Sequence, residues 1–341
     1  MKGVTIILDH LGEREAAARV VDGRLDDLLI EDVAPGIGTI YRALADRPMK
    51  GQGGMMLRGP DGSLFLRQIK GLSPGQPLLV QVTGRAEAGK AVPVTTKLLF
   101  KSRYAIVTPD APGLNISRSI RDDDLRDALM AVAHSEMEGD MEGDMGLILR
   151  SACAGASEED IAEDIRAMAD LARSVLADLA GAPELLAAGD GPHVLAWRDW
   201  TEEAEVVTEA GGFAARGVDA MIADARGPYV PLGAGHMYIE PTRALVAVDV
   251  NTGSDTSPAA GLKANIAAAR DLPRQLRLRG LGGQIVIDAA PMAKKDRHTW
   301  ESTLRAAFRA DLVETSLVGW TPLGHYELHR KRDRVPLAEV P

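Results

Sequence analysis

At 341 residues, with 45% hydrophobic and 26% charged residues, the chain has the balance of a soluble globular protein and the length for two or three subdomains. The formal net charge of −10 excludes a protein that coats nucleic acid through a uniform basic surface, though not an enzyme with a local cationic groove. A lone cysteine, Cys153, excludes an intrachain disulfide and a multi-cysteine metal site, and it points to a reducing, cytoplasmic setting.

The N-terminal text MKGVTIILDH is too short in apolar residues for a signal peptide, and no run approaches a membrane span. Residues 1–33 read as a hairpin: Val4–Leu8 is apolar, Glu13–Val21 mixed, and the turn pair Asp22-Gly23 precedes Leu25–Ile30. From 34 to 97 short apolar segments alternate with glycines, and five short strands in a small barrel of the oligonucleotide-binding type account for them. A third segment, 98–180, carries strands at Tyr104–Val107 and Gly146–Arg150. It also has a helix opening at Asp122 and a second one capped by Ser157, with Ile161, Ile165, Met168, Ala172 and Val175 on one face. The duplication MEGDMEGDM at 137–145 reads as a solvated insertion. Residues 181–230 are least informative, with strands expected at Val194–Trp197 and Glu205–Thr208, a helix near Gly211–Arg216, and Trp197 and Trp200 as packing residues.

The last segment, 231–341, carries the chemistry. Two β-branched runs, Leu245–Val248 and Gln284–Ile287, each end in one aspartate, Asp249 and Asp288, and the text between them is helical. A strand–helix–strand crossover places both carboxylates at one edge of a parallel sheet, where they can share a hard divalent cation. Asn251, two residues on, falls on the same side as Asp249. The bland alternative is that each aspartate begins the turn that follows its strand. Arg274, Arg277 and Arg279 read as partly exposed phosphate ligands, or as a solvated helix end. Pro273 reads as ending or kinking the helix Pro258–Leu272, and Gly282-Gly283 as permitting close backbone approach. Further cations at Lys294–Arg297 and Arg330–Arg334 complete patches that flank the pair.

These segments resemble the ribonuclease E/G family. IEPTRALVAVDVNTG, LKANIAAARDLPRQLRLRGLGGQIVID and GHYELHRKR follow the order of its catalytic core, with weaker likeness across GQPLLVQV, RYAIVTPDAPGLNISRSI and GLILRSA. The resemblance implies a mixed α/β and β fold of several subdomains. These are an S1-type barrel of the OB class (34–97), a sensor of the RNA 5′ end (98–180) and an RNase H-like part (1–33 and a shortened 181–230). The fourth is a DNase I-like catalytic subdomain (231–341) whose βαβ unit carries the metal site.

The activity implied is Mg²⁺-dependent cleavage of single-stranded RNA to 5′-phosphate and 3′-hydroxyl ends, with Mn²⁺ an alternative cofactor. Asp249 and Asp288 match the family's metal ligands and Asn251 its DxN asparagine. Phe65 and Lys90 match RNA contacts of the barrel, Arg118 one arginine of an ISRR pair, and Arg150 with Ser151 the pair that holds a 5′-phosphate. Arg277 and Arg279 join them as RNA-binding expectations.

Departures are Ser102 for a glycine, Ser119 for the second arginine, Met55 for a stacking aromatic, Ala289-Ala290-Pro291-Met292 after Asp288, and Glu314 at a core arginine. There is no CPxC zinc link, so zinc is not expected and any homo-oligomer would form without it. These departures motivate a second reading, a non-catalytic RNA-binding protein that keeps the fold. A nuclease acting on DNA is a third.

Overall fold

The computed structural model of the chain describes residues 3–49, 51, 53–67, 71–87, 89–138 and 144–340. It is a mixed α/β structure of several sheets and divides into two compact units, 33–202 and the pairing of 1–32 with 203–341. Among the described residues no helix is long and apolar enough to cross a membrane.

The unit 33–202 contains the expected barrel. Strands Ile40–Met49, Gly54–Arg58, Ser63–Arg67, Pro77–Val82 and Val92–Thr95 form it. It closes because Ile40–Met49 pairs antiparallel with both Gly54–Arg58 and Pro77–Val82, while Ser63–Arg67 runs parallel to Val92–Thr95. That strand order is the five-stranded OB arrangement. Its interior is aliphatic, from Ala43, Leu57, Leu64, Leu66, Val80 and Val82, with the ring of Tyr41 packed among them. The Tyr41 hydroxyl donates to Asp61 at 3.1 Å, and burial together with that carboxylate pushes its pKa up to about 12.

A second sheet in this unit joins Phe100–Lys101, Ala105–Thr108, Gly113–Ile116 and Gly146–Leu149. Two helices cover it. Asp123–Glu136 is capped by Asp122, and Glu158–Ala177 by Ser157, whose hydroxyl accepts from Asp160 N at 3.1 Å. Ile161, Ile165, Ala172 and Val175 are buried as the spacing requires, with Met168 partly buried against the same core. Residues 139–143 of the tandem duplication lie outside the described residues.

The strand expected at Val194–Trp197 is instead a helix, Pro192–Asp199. Gly191 precedes Pro192 at the first helical turn, where the missing N–H costs nothing, and that start signal outweighs the β-branched Val194. Trp200 packs in the interior as expected, whereas Trp197 is 55% exposed and lies under the Arg103 guanidinium, 4.8 Å from ring centroid to Cζ.

In the other unit the N-terminal hairpin is a three-stranded meander, Val4–Leu11, Arg14–Val21 and Arg24–Ile30, extended by Glu205–Val207 parallel to the first strand. The mixed stretch is a strand because Ala16, Ala17 and Ala18 are small enough to be buried on both faces. Asp22 and Gly23 adopt φ of 48° and 79°, the left-handed pair of a two-residue hairpin turn.

The sheet that carries Asp249 and Asp288 has six strands, in the spatial order Tyr229–Pro231, His236–Pro241, Val246–Asn251, Gly283–Asp288, Tyr326–Arg330, Thr315–Trp320. Helices Ala260–Leu278 and Arg297–Arg309 contribute to the core under this sheet. Val248, Val250, Ile285 and Ile287 pack there with Ala264, Leu272, Leu276, Trp300 and Leu304. The first helix does not end at Pro273. Leu272 and Leu276, on either side of the proline, are both buried in this core, and their burial offsets the hydrogen bond that Pro273 cannot make. Gly282 and Gly283 do permit close approach. A Cβ on Gly282 would sit 2.6 Å from the Lys331 carbonyl oxygen, and Gly283 has φ of 91° beside Arg332.

Candidate active site

The alternation of the strand Val246–Asn251 buries Val246, Val248 and Val250 and turns Ala247, Asp249 and Asn251 to the other face. Gly283–Asp288 does the same, burying Ile285 and Ile287 and exposing Gln284 and Asp288. The two strands are parallel and in register, with Asp249 directly beside Asp288. Neighbouring strands lie about 4.8 Å apart, so both carboxylates project from adjacent positions on one sheet face. Asp288 keeps 66% of its side chain exposed.

Asn251 Nδ2 donates to Asp249 Oδ2 at 2.9 Å, which fixes that carboxylate and the amide together. His325 Nε2 stands 3.9 Å from Asp288 Oδ1 on the other side of the pair. Among the described residues no three His, Cys, Asp or Glu side chains gather as a metal cluster. The donor set is therefore two exposed, hard carboxylates with room for water, which fits a cation that takes one or two protein carboxylates and keeps several waters.

A residue that sequence reasoning missed holds Asp288 in place. Asn265, fully buried on the helix Ala260–Leu278, donates through Nδ2 to the Ala290 carbonyl at 2.8 Å and accepts from Ala290 N at 2.9 Å. Its backbone carbonyl accepts from Trp300 Nε1 at 3.1 Å. The signal was present: an amide at a position that otherwise belongs to the Ala264, Ala268, Leu272 face. Gly261 supports the same junction, since a Cβ there would lie 1.8 Å from the Pro291 carbonyl oxygen.

Arg274, Arg277 and Arg279 are not the free phosphate ligands expected. Arg277 and Arg279 are 8% and 6% exposed. Arg277 pairs with Asp26, Asp27 and Asp311, and Arg274 pairs with Asp271 and donates to the Leu25 carbonyl. Arg279 donates to the Gln275 side chain and to the Gly227 carbonyl at 2.9 Å. Burial, with Arg274 adding repulsion, draws its pKa down to about 10. Internal carboxylates and carbonyls compensate these guanidinium groups, which is how cations can be buried at all, although Arg277 Nε makes no hydrogen bond among the described residues and meets Asp27 only at 3.6 Å. Lys294 and Lys295, six and seven residues beyond Asp288, remain exposed.

In the other unit, Phe65 is half-buried on the outer face of the barrel, with its ring against Gly54. Met55 does not stand beside it: Met55 is in the barrel core at 5% exposure, and Met56 is the residue opposite Phe65. Lys90 is exposed and paired with Glu87 at 2.8 Å, and Arg118 is exposed.

Arg150 follows directly on its strand, which ends at Leu149, and its guanidinium donates to the carbonyls of Ser102, Arg103 and Arg198 and to Asp199 Oδ1, the last at 2.7 Å. Lys101 also reaches Asp199, at 2.8 Å. Burial alone would raise the Asp199 carboxyl, but Arg198 and Lys101 outweigh it and hold it well below the usual range. Ser102 Oγ and Tyr104 N both donate to Asp164 Oδ2, at 2.5 and 2.9 Å. Ser151 is exposed at the start of the 3₁₀ turn Ser151–Gly155.

The candidate site is thus two in-register aspartates on one sheet face with an amide hydrogen-bonded to one of them, in a chain that also carries an OB-type barrel. The sequence profile described as the ribonuclease E/G family matches residues 100–211 and 199–333, and the chain belongs to that family. Among similar curated proteins, "Ribonuclease E" of Nostoc sp. is 29% identical over 92% of this chain and 51% of its own length. "Ribonuclease G" of Salmonella typhimurium is 28% identical over 78% of this chain and 62% of its own length. "Ribonuclease G" of Haemophilus influenzae is 27% identical over all of this chain and 82% of its own length. The chain thus spans about half the length of the ribonuclease E relative.

Proposed function

We propose that the chain is a metal-dependent endoribonuclease that cuts single-stranded RNA at Asp249 and Asp288, leaving 5′-phosphate and 3′-hydroxyl ends, in RNA processing or decay. The observation that supports it most is the in-register carboxylate pair with Asn251 bonded to one member, within a chain of the ribonuclease E/G family. Mg²⁺, or Mn²⁺ in its place, would supply a more acidic water and charge to offset that on the phosphate.

The chain's own part is positioning. Asp249 and Asp288 would hold the cation from one side, Asn251 would keep Asp249 in a single rotamer, and Asn265 would keep Asp288 at its strand end. Phe65 and Lys90 on the barrel and Arg118 in the 5′-end region would contact the strand elsewhere. A stacked A-form duplex resists lying flat on a sheet face, so an unstacked strand is the substrate.

Incubation with Mg²⁺ of matched single-stranded RNA, duplex RNA and single-stranded DNA tests this. Cleavage of the single-stranded RNA alone is expected. Salt-dependent RNA binding with no turnover would leave an RNA-binding protein instead, and equal cleavage of the DNA would redirect the reading to a general nuclease.

The 5′ end should matter little. Asp199 already occupies the Arg150 guanidinium, so an RNA 5′-phosphate would have to displace an internal, half-buried ion pair. Rates on 5′-monophosphate and 5′-hydroxyl versions of one RNA are expected to agree within about twofold, a barrier difference below roughly 0.5 kcal/mol. A tenfold preference for the phosphorylated end would show that Asp199 yields.

A further inference from the structure

The sheet face that bears the carboxylates also bears three aromatic rings for which cleavage chemistry has no use. Tyr229, His236 and Tyr238 come from the two strands on one side of the pair. Their centroids lie 5.3 Å apart for Tyr229–His236, 5.6 Å for Tyr229–Tyr238 and 5.5 Å for His236–Tyr238, the last pair at 90°. Cross-strand aromatic contacts of this kind brace a hairpin, and part of their role is that. Bracing does not require exposure, yet Tyr229 is 50% and Tyr238 36% exposed. Two tyrosines left open in contact with each other form a surface waiting for a flat apolar partner.

Register says where that partner must lie. Tyr229 is opposite Tyr238, Tyr238 is opposite Asp249, and Asp249 is beside Asp288, so the four side chains make one row across the sheet. His236 is opposite Asn251 in the next row. With strands about 4.8 Å apart, the Tyr238 ring begins about 5 Å from Asp249 and Tyr229 lies about 10 Å from it. That is the reach of a nucleotide from its phosphate to its base. The row ends at Tyr229 on the edge strand, so a base stacked there meets no further strand.

We propose that Tyr238 and Tyr229 form a stacking platform for the nucleobase adjoining the scissile phosphate. This rests on the endoribonuclease reading and names how the substrate is held. Every base has a π-face, so the platform accepts all four and contributes affinity without sequence preference at that nucleotide.

The test uses the full chain and a short single-stranded RNA with one mapped cleavage site, together with versions that lack the base on either side of it. Cleavage is measured with Mg²⁺, and binding by fluorescence anisotropy in a chelator. Removing the platform's base is expected to weaken wild-type binding and raise KM by about tenfold. Tyr238→Leu should lose a similar factor on the intact RNA and nothing more on the abasic one, while Tyr238→Phe, which keeps the ring, retains wild-type values. Melting temperatures of both variants confirm that each is folded. Cleavage with the same KM and the same abasic sensitivity in Tyr238→Leu would overturn the platform and leave the rings as a hairpin brace. Base-dependent binding that vanishes in Tyr238→Leu, in a protein that never cleaves, would keep the platform and sink the nuclease reading. Neither cleavage nor Tyr238-dependent binding would remove both.

Discussion

Asp249→Asn is expected to lower Mg²⁺-dependent cleavage of single-stranded RNA by roughly a hundredfold or more, with Asp288→Asn doing the same. The substitution removes a negative charge and replaces one ligand oxygen with an amide N–H₂, which repels the cation instead of binding it. It also pits that amide against Asn251 Nδ2, which now donates to Asp249 Oδ2. Folding should hardly notice. Asp249 is exposed, and its strand neighbours Val248 and Val250, at 1% and 4% exposure, supply the packing. Stability is therefore expected to stay within about 0.5 kcal/mol of wild type. Chelation should stop the wild-type reaction and added Mg²⁺ restore it. Equal rates for wild type and Asp249→Asn at saturating Mg²⁺ would remove the carboxylate pair from the mechanism.

The pair was legible because it depends on local rules. Alternating buried β-branched residues before each aspartate, Val246 and Val248 in one strand and Ile285 and Ile287 in the other, fix the strands, and a helix-length crossover fixes their parallel pairing, so the register of Asp249 beside Asp288 follows with few alternatives. The barrel was legible for a similar reason: glycines and the Pro60-Asp61-Gly62 turn cut the text into short strands. What was not legible depends on partners far away in sequence. LRLRG reads as a cationic strip, yet Arg277 finds Asp26 and Asp27 some 250 positions earlier, and nothing local announces that acceptors wait there. Met55, expected at a stacking position, lies in the barrel core, because neighbouring residues of a strand face opposite sides and it is Met56 that stands opposite Phe65. The helix Pro192–Asp199 was missed because Val194 and Trp197 suit a strand, and only Gly191-Pro192 argues otherwise.

Those same distant partners give the second large effect. Asp311→Ala is expected to destabilise the unit formed by 1–32 and 203–341 by about 3–5 kcal/mol. The Asp311 side chain is 0% exposed and accepts from two guanidinium groups, Arg277 and Arg330, which are 9% and 1% exposed. Arg277 would keep Asp26 and Asp27, at 3.3 and 3.6 Å. Among the described residues Arg330 would keep one hydrogen-bond partner, the Thr315 hydroxyl at 2.9 Å. Burial already lowers the Arg330 pKa, and Asp311 is the first of the groups that oppose the shift, so its removal strands a cation where water cannot reach it. Combining Asp311→Leu with Arg330→Met should recover much of the loss, because the cost lies in the unpaired charge and not in the missing contact. Chemical denaturation of the single and double variants reads both numbers. A single variant that costs less than about 1 kcal/mol would mean that water or another carboxylate reaches Arg330, and that the buried network does not hold this unit together.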